Sequence, residues 1–296
     1  MRMWLMAARL RTLPAAVAPV LVGTAIAVTR DVFRPGAFIA ALLGAILIQV
    51  GTNLSNDYSD ARRGADTEER LGPMRVTAGG LVPPRTVLLW TYLTFGAAAL
   101  CGVYLVAVAG WELLALGVAS ILAGVLYTGG PRPYGYEGLG EVFVFLFFGV
   151  VAVAGSTFAQ LEEWPWEAFA LAVPVGLLVT AILVVNNIRD MDTDRRAGKR
   201  TLAVRLGRER ARAEYTLLLA LGFGVLAPIA AIEIADTDSW SALWWLLPWL
   251  LVPLAVKLVR VVRSHVDGPT LNGALARTAA LQLLFCVLLA AGVLLS

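Results

Sequence analysis

Two stretches of this sequence place several carboxylates directly after an apolar run. "NDYSDARRGAD" begins at Asn56 and follows "GAFIAALLGAILIQVGTNLS", and "NNIRDMDTD" follows "FALAVPVGLLVTAILVV". Residues four apart share one face of a helix, so Asn56 and Asp60 point the same way, as do Asp190 and Asp194. Hard divalent cations take oxygen ligands, and Mg²⁺ in particular is held by a few carboxylates together with substrate phosphates. Two such helix ends facing each other would bridge Mg²⁺ ions to a diphosphate.

Basic side chains accompany both motifs. The first motif is followed by Arg62, Arg63 and Arg75, and the second is surrounded by Arg189, Arg195, Arg196, Lys199 and Arg200. Carboxylates that bind metal, interleaved with cations that bind phosphate, are typical of a diphosphate site. The alternative is that these charges are solvated at a membrane surface and form local ion pairs. The occurrence of two similar motifs, each at the end of an apolar helix, favours the diphosphate site.

The elements that must carry these motifs are membrane-spanning helices. The 296-residue chain is 59% hydrophobic and 15% charged, with a mean hydropathy of +0.76, well beyond the range of soluble domains. A helix crosses the hydrocarbon core with roughly 20 apolar residues. We expect an all-α, polytopic membrane protein with one domain over residues 1–296, whose helices surround a central cavity, and with active-site loops at about 56–85 and 189–213. Nine spans are predicted, at about 13–29, 36–55, 86–108, 111–128, 139–160, 167–188, 214–232, 240–261 and 273–295.

The distribution of positive charge predicts how the chain sits in the bilayer. With nine spans, all but two of the 24 Lys and Arg residues fall on the side of the N-terminus, and the exceptions are Arg30 and Arg34. Positively charged short loops stay in the cytoplasm. We therefore expect a cytoplasmic N-terminus and a multi-pass protein of the cell inner membrane, with both acidic motifs facing the cytoplasm. The basic loops carry no nucleic-acid motif, and their position against the lipid bilayer explains them better.

At the two acidic motifs the sequence resembles the UbiA-type intramembrane aromatic prenyltransferases. The first signature of that family, Asn-Asp-x-x-Asp after the second helix, is matched by "NDYSD", and the second, Asp-x-x-x-Asp after the sixth helix, is matched by "DMDTD". "RLRTLPAAVAPVLVGTA", "RLGPMRVTAGGLVPP" and "YTGGPRPYGYEGLGEVFVFLFFG" are similar to the branch of the family that prenylates 1,4-dihydroxy-2-naphthoate. The likeness covers roughly residues 9 to 210 motif by motif.

The resemblance implies a reaction and a set of roles. The reaction is the Mg²⁺-dependent transfer of a polyprenyl group from polyprenyl diphosphate to 1,4-dihydroxy-2-naphthoate, an aromatic acid, with decarboxylation, in menaquinone biosynthesis. The implied metal ligands are Asn56, Asp60, Asp190 and Asp194, and the implied catalytic residues are Asp57, Asp66 and Tyr127. The implied substrate-binding residues are Arg11, Arg62, Arg63, Arg75, Arg132, Arg189 and Lys199.

Two details of the resemblance concern the acceptor and the cavity wall. Many relatives carry a tyrosine–lysine pair after the fourth helix, whereas here Tyr127 is followed by no lysine and Arg132 is the candidate cation. Arg11 or Arg132 is the candidate for the acceptor carboxylate. Aromatic faces stabilise positive charge, and the candidates for the cavity lining are Tyr58, Tyr127, Tyr134, Tyr136 and Phe143.

Three other functions fit part of the pattern. The acceptor could be another ring, such as 4-hydroxybenzoate, homogentisate or the porphyrin of haem or chlorophyll synthesis, and "PYGYEGLGE" argues for the naphthoate type. A CDP-alcohol phosphatidyltransferase also uses paired aspartates, but in one continuous motif. A transporter would place charges near the bilayer midplane, whereas the charges here gather on one membrane face.

Overall fold

The structure, a computed structural model, describes residues 2–65, 71–72 and 75–296, without the side chains of Arg2, Leu5 and Arg11. These residues form helices and loops and contain no strand. The helices are α1 (Arg2–Ala8), α2 (Pro14–Val28), α3 (Pro35–Arg62), α4 (Pro84–Ala109), α5 (Glu112–Leu126), α6 (Gly140–Leu161), α7 (Trp166–Arg196), α8 (Leu202–Leu206), α9 (Arg208–Thr237), α10 (Trp240–Ser264) and α11 (Gly268–Leu295). The all-α membrane fold predicted from the sequence is confirmed.

Seven helices in the described part of the chain are long and apolar enough to cross a membrane: α3, α4, α6, α7, α9, α10 and α11. The first and fourth predicted spans correspond to α2 and α5, which have 15 residues each. At 1.5 Å per residue these two helices are about 22 Å long, shorter than the hydrocarbon core of about 30 Å. The count of nine spans and the cytoplasmic N-terminus therefore stay predictions. The short helices α1 and α8 were not predicted.

The two helices that carry the acidic motifs end in the same backbone turn. Gly64 follows α3 and Gly198 follows α7, both with positive φ, of 66° and 75° respectively. Beyond each glycine a backbone N–H bonds back into the last helical turn, from Ala65 to the carbonyl of Asp60 at 3.0 Å and from Lys199 to that of Asp194 at 2.8 Å. Glycine adopts this left-handed conformation without the steric penalty of a Cβ atom. The glycines therefore stop both helices just past their carboxylates.

The helix α7 lies at the centre of the bundle and packs closely against α6. Cβ atoms built on Gly149 of α6 and Gly176 of α7 would meet backbone atoms of the facing helix, the first lying 2.6 Å from the Gly176 Cα. Small residues allow two membrane helices to approach this closely. At this contact α6 contains a π-helical segment, Phe145–Val151, which shifts the faces presented by its aromatic residues. The close packing fixes the aromatic face of α6 relative to the carboxylates of α7.

Candidate functional site

A central cavity of about 460 Å³ is surrounded by the six helices from α2 to α7. One end of the cavity is polar, and the rest, its body, is mainly apolar. Its polar end is lined by Asn56, Asp60, Arg75, Tyr136, Asn186, Asn187, Asp190, Asp194 and Lys199. Its body is lined by small and aliphatic residues of α3, α4, α5 and α6, such as Gly44, Ala98, Leu116 and Val151. A polar head group and a hydrocarbon tail would therefore find separate surroundings in one cavity.

Asp60 connects three parts of the chain at the polar end. Its Oδ2 lies 2.8 Å from the Arg75 Nη2 and 3.1 Å from the Lys199 Nζ. The hydroxyl of Tyr136 donates to the Asp60 Oδ1 at 2.6 Å. Lys199 also lies 4.7 Å from the centre of the Tyr136 ring. Asp60, with only 1% of its surface exposed, contacts two of the predicted substrate-binding cations, Arg75 and Lys199, at the cavity.

Asp190 forms a buried ion pair with its neighbour Arg189. The guanidinium donates to both carboxylate oxygens, with the Nε at 2.8 Å from Oδ1. It also donates to the side-chain oxygens of Asn186 at 2.8 Å and of Asn272 on α11 at 2.7 Å. Asp190 and Asp194 line the cavity, whereas Arg189 does not. Among the described contacts, Arg189 therefore orients a candidate metal ligand, although it was predicted to bind substrate.

Asn56 and Asp57 are sequence neighbours with different surroundings. Asn56 lines the cavity, and its Oδ1 accepts a hydrogen bond from the Thr128 hydroxyl at 2.8 Å. Asp57 does not line the cavity; its carboxylate accepts from the backbone N–H groups of Val76 and Thr77 at 3.1 and 2.9 Å. Neighbours on a helix point about 100° apart, and here Asp57 points away from the cavity that Asn56 faces. Asp57 therefore anchors the loop that brings Arg75 to Asp60.

Replacing Asp57 with alanine is expected to weaken diphosphate binding without removing a group that lines the cavity. Two buried backbone N–H groups would lose their acceptor, at a cost of about 1–3 kcal/mol for each unsatisfied group. The loop would release Arg75, so we expect the KM for prenyl diphosphate to rise about 10-fold or more, with a smaller change in kcat. Steady-state kinetics at varied diphosphate concentration measures this. A loss confined to kcat would instead favour the catalytic role predicted from the sequence.

Besides Arg189, three other predicted substrate-binding arginines lie outside the cavity lining. Arg62 donates to the Tyr58 hydroxyl at 3.2 Å, and Arg63 donates to the Gly130 carbonyl. Arg132 is exposed. Among the described residues, these three are therefore not paired with the carboxylates that line the cavity. Asp66 and the side chain of Arg11 lie outside the described residues.

Asn186 was missed by the sequence analysis although its position carries the same signal. It precedes Asp190 by four residues, which places it on the face of α7 that presents Asp190 and Asp194. It lines the cavity, as does its neighbour Asn187, whose Nδ2 donates to the buried Glu141 at 2.9 Å. The four-residue spacing that pairs Asn56 with Asp60 also pairs Asn186 with Asp190, and this spacing is the signal in the sequence.

The oxygen donors at the polar end fit Mg²⁺. Asn56, Asp60, Asp190 and Asp194 supply carboxylate and amide oxygens, the ligand type that Mg²⁺ prefers. In the part of the chain that the structure describes, no three His, Cys, Asp or Glu side chains converge to form a metal centre built from protein alone. A Mg²⁺ ion that keeps substrate oxygens and waters in its coordination sphere requires only one or two carboxylates.

Aromatic rings line the cavity between its polar end and its body. Tyr127 meets Tyr134 edge to face, with ring centres 5.4 Å apart, and Tyr134 stacks on Phe143 at 4.0 Å. Phe147 continues the row 6.1 Å from Phe143. Burial raises the pKa of Tyr134, so its hydroxyl stays protonated and donates to the Ala123 carbonyl at 2.8 Å. These faces would stabilise positive charge within the cavity.

Comparison with known proteins agrees with this geometry. Residues 16–270 match the model of the UbiA prenyltransferase family. The chain is 40% identical to the 1,4-dihydroxy-2-naphthoate octaprenyltransferase of Mycobacterium tuberculosis, over 97% of this chain and 95% of that protein. It is 38% identical to the enzyme of the same name from Escherichia coli, over 99% and 95% of the two chains.

Among solved structures, the fold matches a UbiA homolog from Archaeoglobus fulgidus bound to DMAPP and Mg²⁺. The TM-score is 0.69 at 17% identity, over 99% of both chains. At that identity the likeness concerns the fold. The family match and the near full-length relatives carry the assignment, and the chain belongs to the UbiA prenyltransferase family of multi-pass membrane enzymes.

Proposed function

We propose that this enzyme transfers a polyprenyl group from its diphosphate to 1,4-dihydroxy-2-naphthoate, with loss of the ring carboxylate, and that the reaction requires Mg²⁺. The observation that carries the proposal is the cavity itself, in which carboxylates and cations at one end adjoin aromatic faces and an apolar body. The relatives named for this reaction, which match over nearly the whole chain, support the choice of acceptor.

The polar end would bind and activate the diphosphate. Asn56, Asp60, Asp190 and Asp194 are the residues that would hold Mg²⁺, which supplies Lewis-acid neutralisation of the leaving group. Arg75 and Lys199 would donate to the phosphate oxygens. The carbon–oxygen bond breaks, and its electron pair leaves with the diphosphate. The prenyl group is left as an allylic cation beside the aromatic row, where Tyr134 and Phe143 present their faces.

The rest of the cavity would protect and direct that cation. An apolar body excludes water, which would otherwise trap the cation as an alcohol. The electron-rich ring carbon of the acceptor supplies the electron pair of the new carbon–carbon bond. The attacked carbon is the one that bears the carboxylate; its bond to the carboxylate then breaks, the electron pair returns to the ring and restores aromaticity, and carbon dioxide leaves. The long isoprenoid tail would lie along the aliphatic residues of α3 to α6 and reach the lipid.

The orientation in the membrane is part of the proposal, with the polar end facing the cytoplasm. On the opposite face, the two exceptional arginines are engaged by acidic side chains. Arg30 lies 2.9 Å from Glu167, and Arg34 pairs with Glu162. The excess of positive charge is therefore confined to the face that carries the carboxylates, as expected for the cytoplasmic side of an inner-membrane protein.

The test uses purified protein in detergent with a polyprenyl diphosphate and either 1,4-dihydroxy-2-naphthoate or 4-hydroxybenzoate. We expect prenylated product and carbon dioxide from the naphthoate alone, and we expect a chelator to abolish both and added Mg²⁺ to restore them. Product from the benzoate alone would keep the reaction class and overturn the acceptor. Turnover that persists unchanged in excess chelator would overturn the metal requirement.

A further inference from the structure

A second polar cluster lies on the cavity wall, deeper than the carboxylates. Gln49 and Asn53 belong to α3 and line the cavity together with Arg9 and Thr12, which lie in the turn between α1 and α2. Gln49 precedes Asp60 by 11 positions, which corresponds to about 16 Å along the helix axis. Polar side chains at such depth are costly in a membrane protein unless they serve a purpose. The proposed diphosphate chemistry at the polar end does not use this cluster.

The hydrogen bonds of the cluster fix the orientation of both amides. The hydroxyl of Thr12 donates to the Arg9 carbonyl at 2.9 Å. Because a hydroxyl carries one proton, its oxygen can only accept from the Gln49 Nε2 at 3.1 Å and the Asn53 Nδ2 at 3.3 Å. The Asn53 Nδ2 also donates to the Ala8 carbonyl at 3.0 Å. Both amides therefore present their NH₂ groups to the turn.

In this orientation the side-chain oxygen of Gln49, Oε1, is free only to accept a hydrogen bond and points away from the Thr12 hydroxyl. The side chain is 8% exposed, and its Oε1 has no hydrogen-bond partner among the described residues. A buried acceptor without a donor is unfavourable. A hydroxyl group on a bound ligand would satisfy it.

Arg9 supplies a cation to the same cluster. Its backbone is left-handed, with φ of 52° and ψ of 62°, which is uncommon for a residue with a Cβ atom and concentrates at functional sites. Thr12 closes the turn through its backbone N–H, which lies 2.8 Å from the Arg9 carbonyl. Of the basic side chains that the structure describes, Arg9, Arg75 and Lys199 line the cavity. Arg9 is the cation carried by the turn that orients the amides.

We propose that this cluster is the subsite for the aromatic acceptor: Arg9 binds the carboxylate of an aromatic hydroxy acid, and the Gln49 Oε1 accepts a hydrogen bond from a ring hydroxyl. This assignment rests on the proposed function, because it names the residues that would bind the acceptor of that reaction. The position of the cluster, deeper than the diphosphate end, would place the acceptor ring beside the aromatic row. The carboxylates at the polar end would repel an acid that entered in the opposite orientation.

The test measures binding of three stable naphthalene probes to the full-length protein in detergent by isothermal titration. The probes are 4-hydroxy-2-naphthoate, 2-naphthoate and 1-naphthol, which carry both groups, the carboxylate alone and the hydroxyl alone. We expect Gln49→Leu to weaken binding of the first probe about 10-fold and to leave 2-naphthoate unchanged. We expect Arg9→Gln to weaken both acids about 10-fold or more and to leave 1-naphthol unchanged. The control Arg85→Gln replaces an exposed cation at the start of α4 that does not line the cavity, and it should change none of the three.

Equal losses for all three probes, unchanged affinities, or a wild-type protein that binds no probe would each overturn the subsite. Affinity for a prenyl diphosphate, measured on the same samples, checks that each variant is folded. If Arg9→Gln does not fold, Arg9→Lys keeps the charge and should weaken both acids less, because lysine lacks the two-pronged guanidinium. Binding is measured without turnover, so the selective losses would support the subsite even if no prenylated product forms. A lack of product would instead count against the proposed function.

Discussion

Asp60→Asn is expected to reduce kcat/KM for prenyl transfer by about 1,000-fold or more. Asp60 is a candidate metal ligand, and its carboxylate also holds Arg75 at 2.8 Å and Lys199 at 3.1 Å. Asparagine is nearly isosteric but neutral, so it would remove the negative charge that Arg75 and Lys199 both contact. Removing one partner of a buried ion pair typically destabilises a protein by about 3–5 kcal/mol. We therefore expect a lower midpoint of thermal unfolding together with the loss of activity.

A matched control separates the site from a general effect of charge. Asp192 lies in the second acidic motif, but its side chain is 64% exposed and pairs with Arg208 at 2.8 Å. Asp192→Asn removes the same charge from the same membrane face and should retain activity within about twofold, as exposed ion pairs contribute little. Measuring kcat/KM and the midpoint of thermal unfolding for both variants distinguishes a specific role of Asp60 from a general effect of charge. Near-normal turnover in Asp60→Asn would refute the assignment of Asp60 to the metal and diphosphate site.

Gly149→Ala is expected to cause a marked loss of stability, although it adds only one methyl group. Its Cβ would lie 2.6 Å from the Gly176 Cα and 3.0 Å from the Ala172 carbonyl oxygen, both backbone atoms that cannot rotate away. The helices α6 and α7 would have to separate, at a cost of about 1–3 kcal/mol for overpacking. Because α6 carries Phe147 and α7 carries Asp190, the separation would also misplace the site, and we expect activity to fall with stability.

The control is a glycine in open surroundings. A Cβ on Gly96 of α4 would meet no atom within 4 Å, and alanine in a helix interior is favoured over glycine by up to about 1 kcal/mol. Gly96→Ala should therefore leave the unfolding midpoint unchanged or raise it. Thermal unfolding in one detergent compares the two variants, and equal midpoints would contradict the close contact between α6 and α7.

Asn56 and the three aspartates of the site could be predicted from the sequence, because the direction in which they point depends on local helix geometry. Asn56 and Asp60 are four residues apart, as are Asp190 and Asp194, and a helix places such pairs on one face wherever it lies in the fold. All four line the cavity. Their roles as metal ligands stay a prediction.

The basic residues were harder to predict, because their positions depend on contacts between distant parts of the chain. Arg75 contacts Asp60, and Asp57 anchors Val76 and Thr77, the two residues that follow Arg75. Arg189 follows from a local rule that was not applied: it is adjacent to Asp190 and therefore points to a different side of α7. The exposed position of Arg132 depends on the path of the loop after α5, which no periodicity encodes.

The fold shows the same division between local and distant causes. Apolar length predicted the seven long helices, because a span is a local property of composition. The π-helical segment of α6 and the contact of Gly149 with Gly176 depend on how two helices meet. Glycine in an apolar run carries no signal that distinguishes a packing contact from an open position, as Gly149 and Gly96 illustrate.

The matching ends of α3 and α7 have a consequence for how the site can evolve. In each, a left-handed glycine and one backbone hydrogen bond form the turn, and the side chain that follows takes no part in it. That position holds the small Ala65 after α3 and the cationic Lys199 after α7. A single substitution there can add or remove a positive charge while the backbone keeps its course. The charge that follows each acidic motif can therefore vary without a change in the backbone turn that ends the helix.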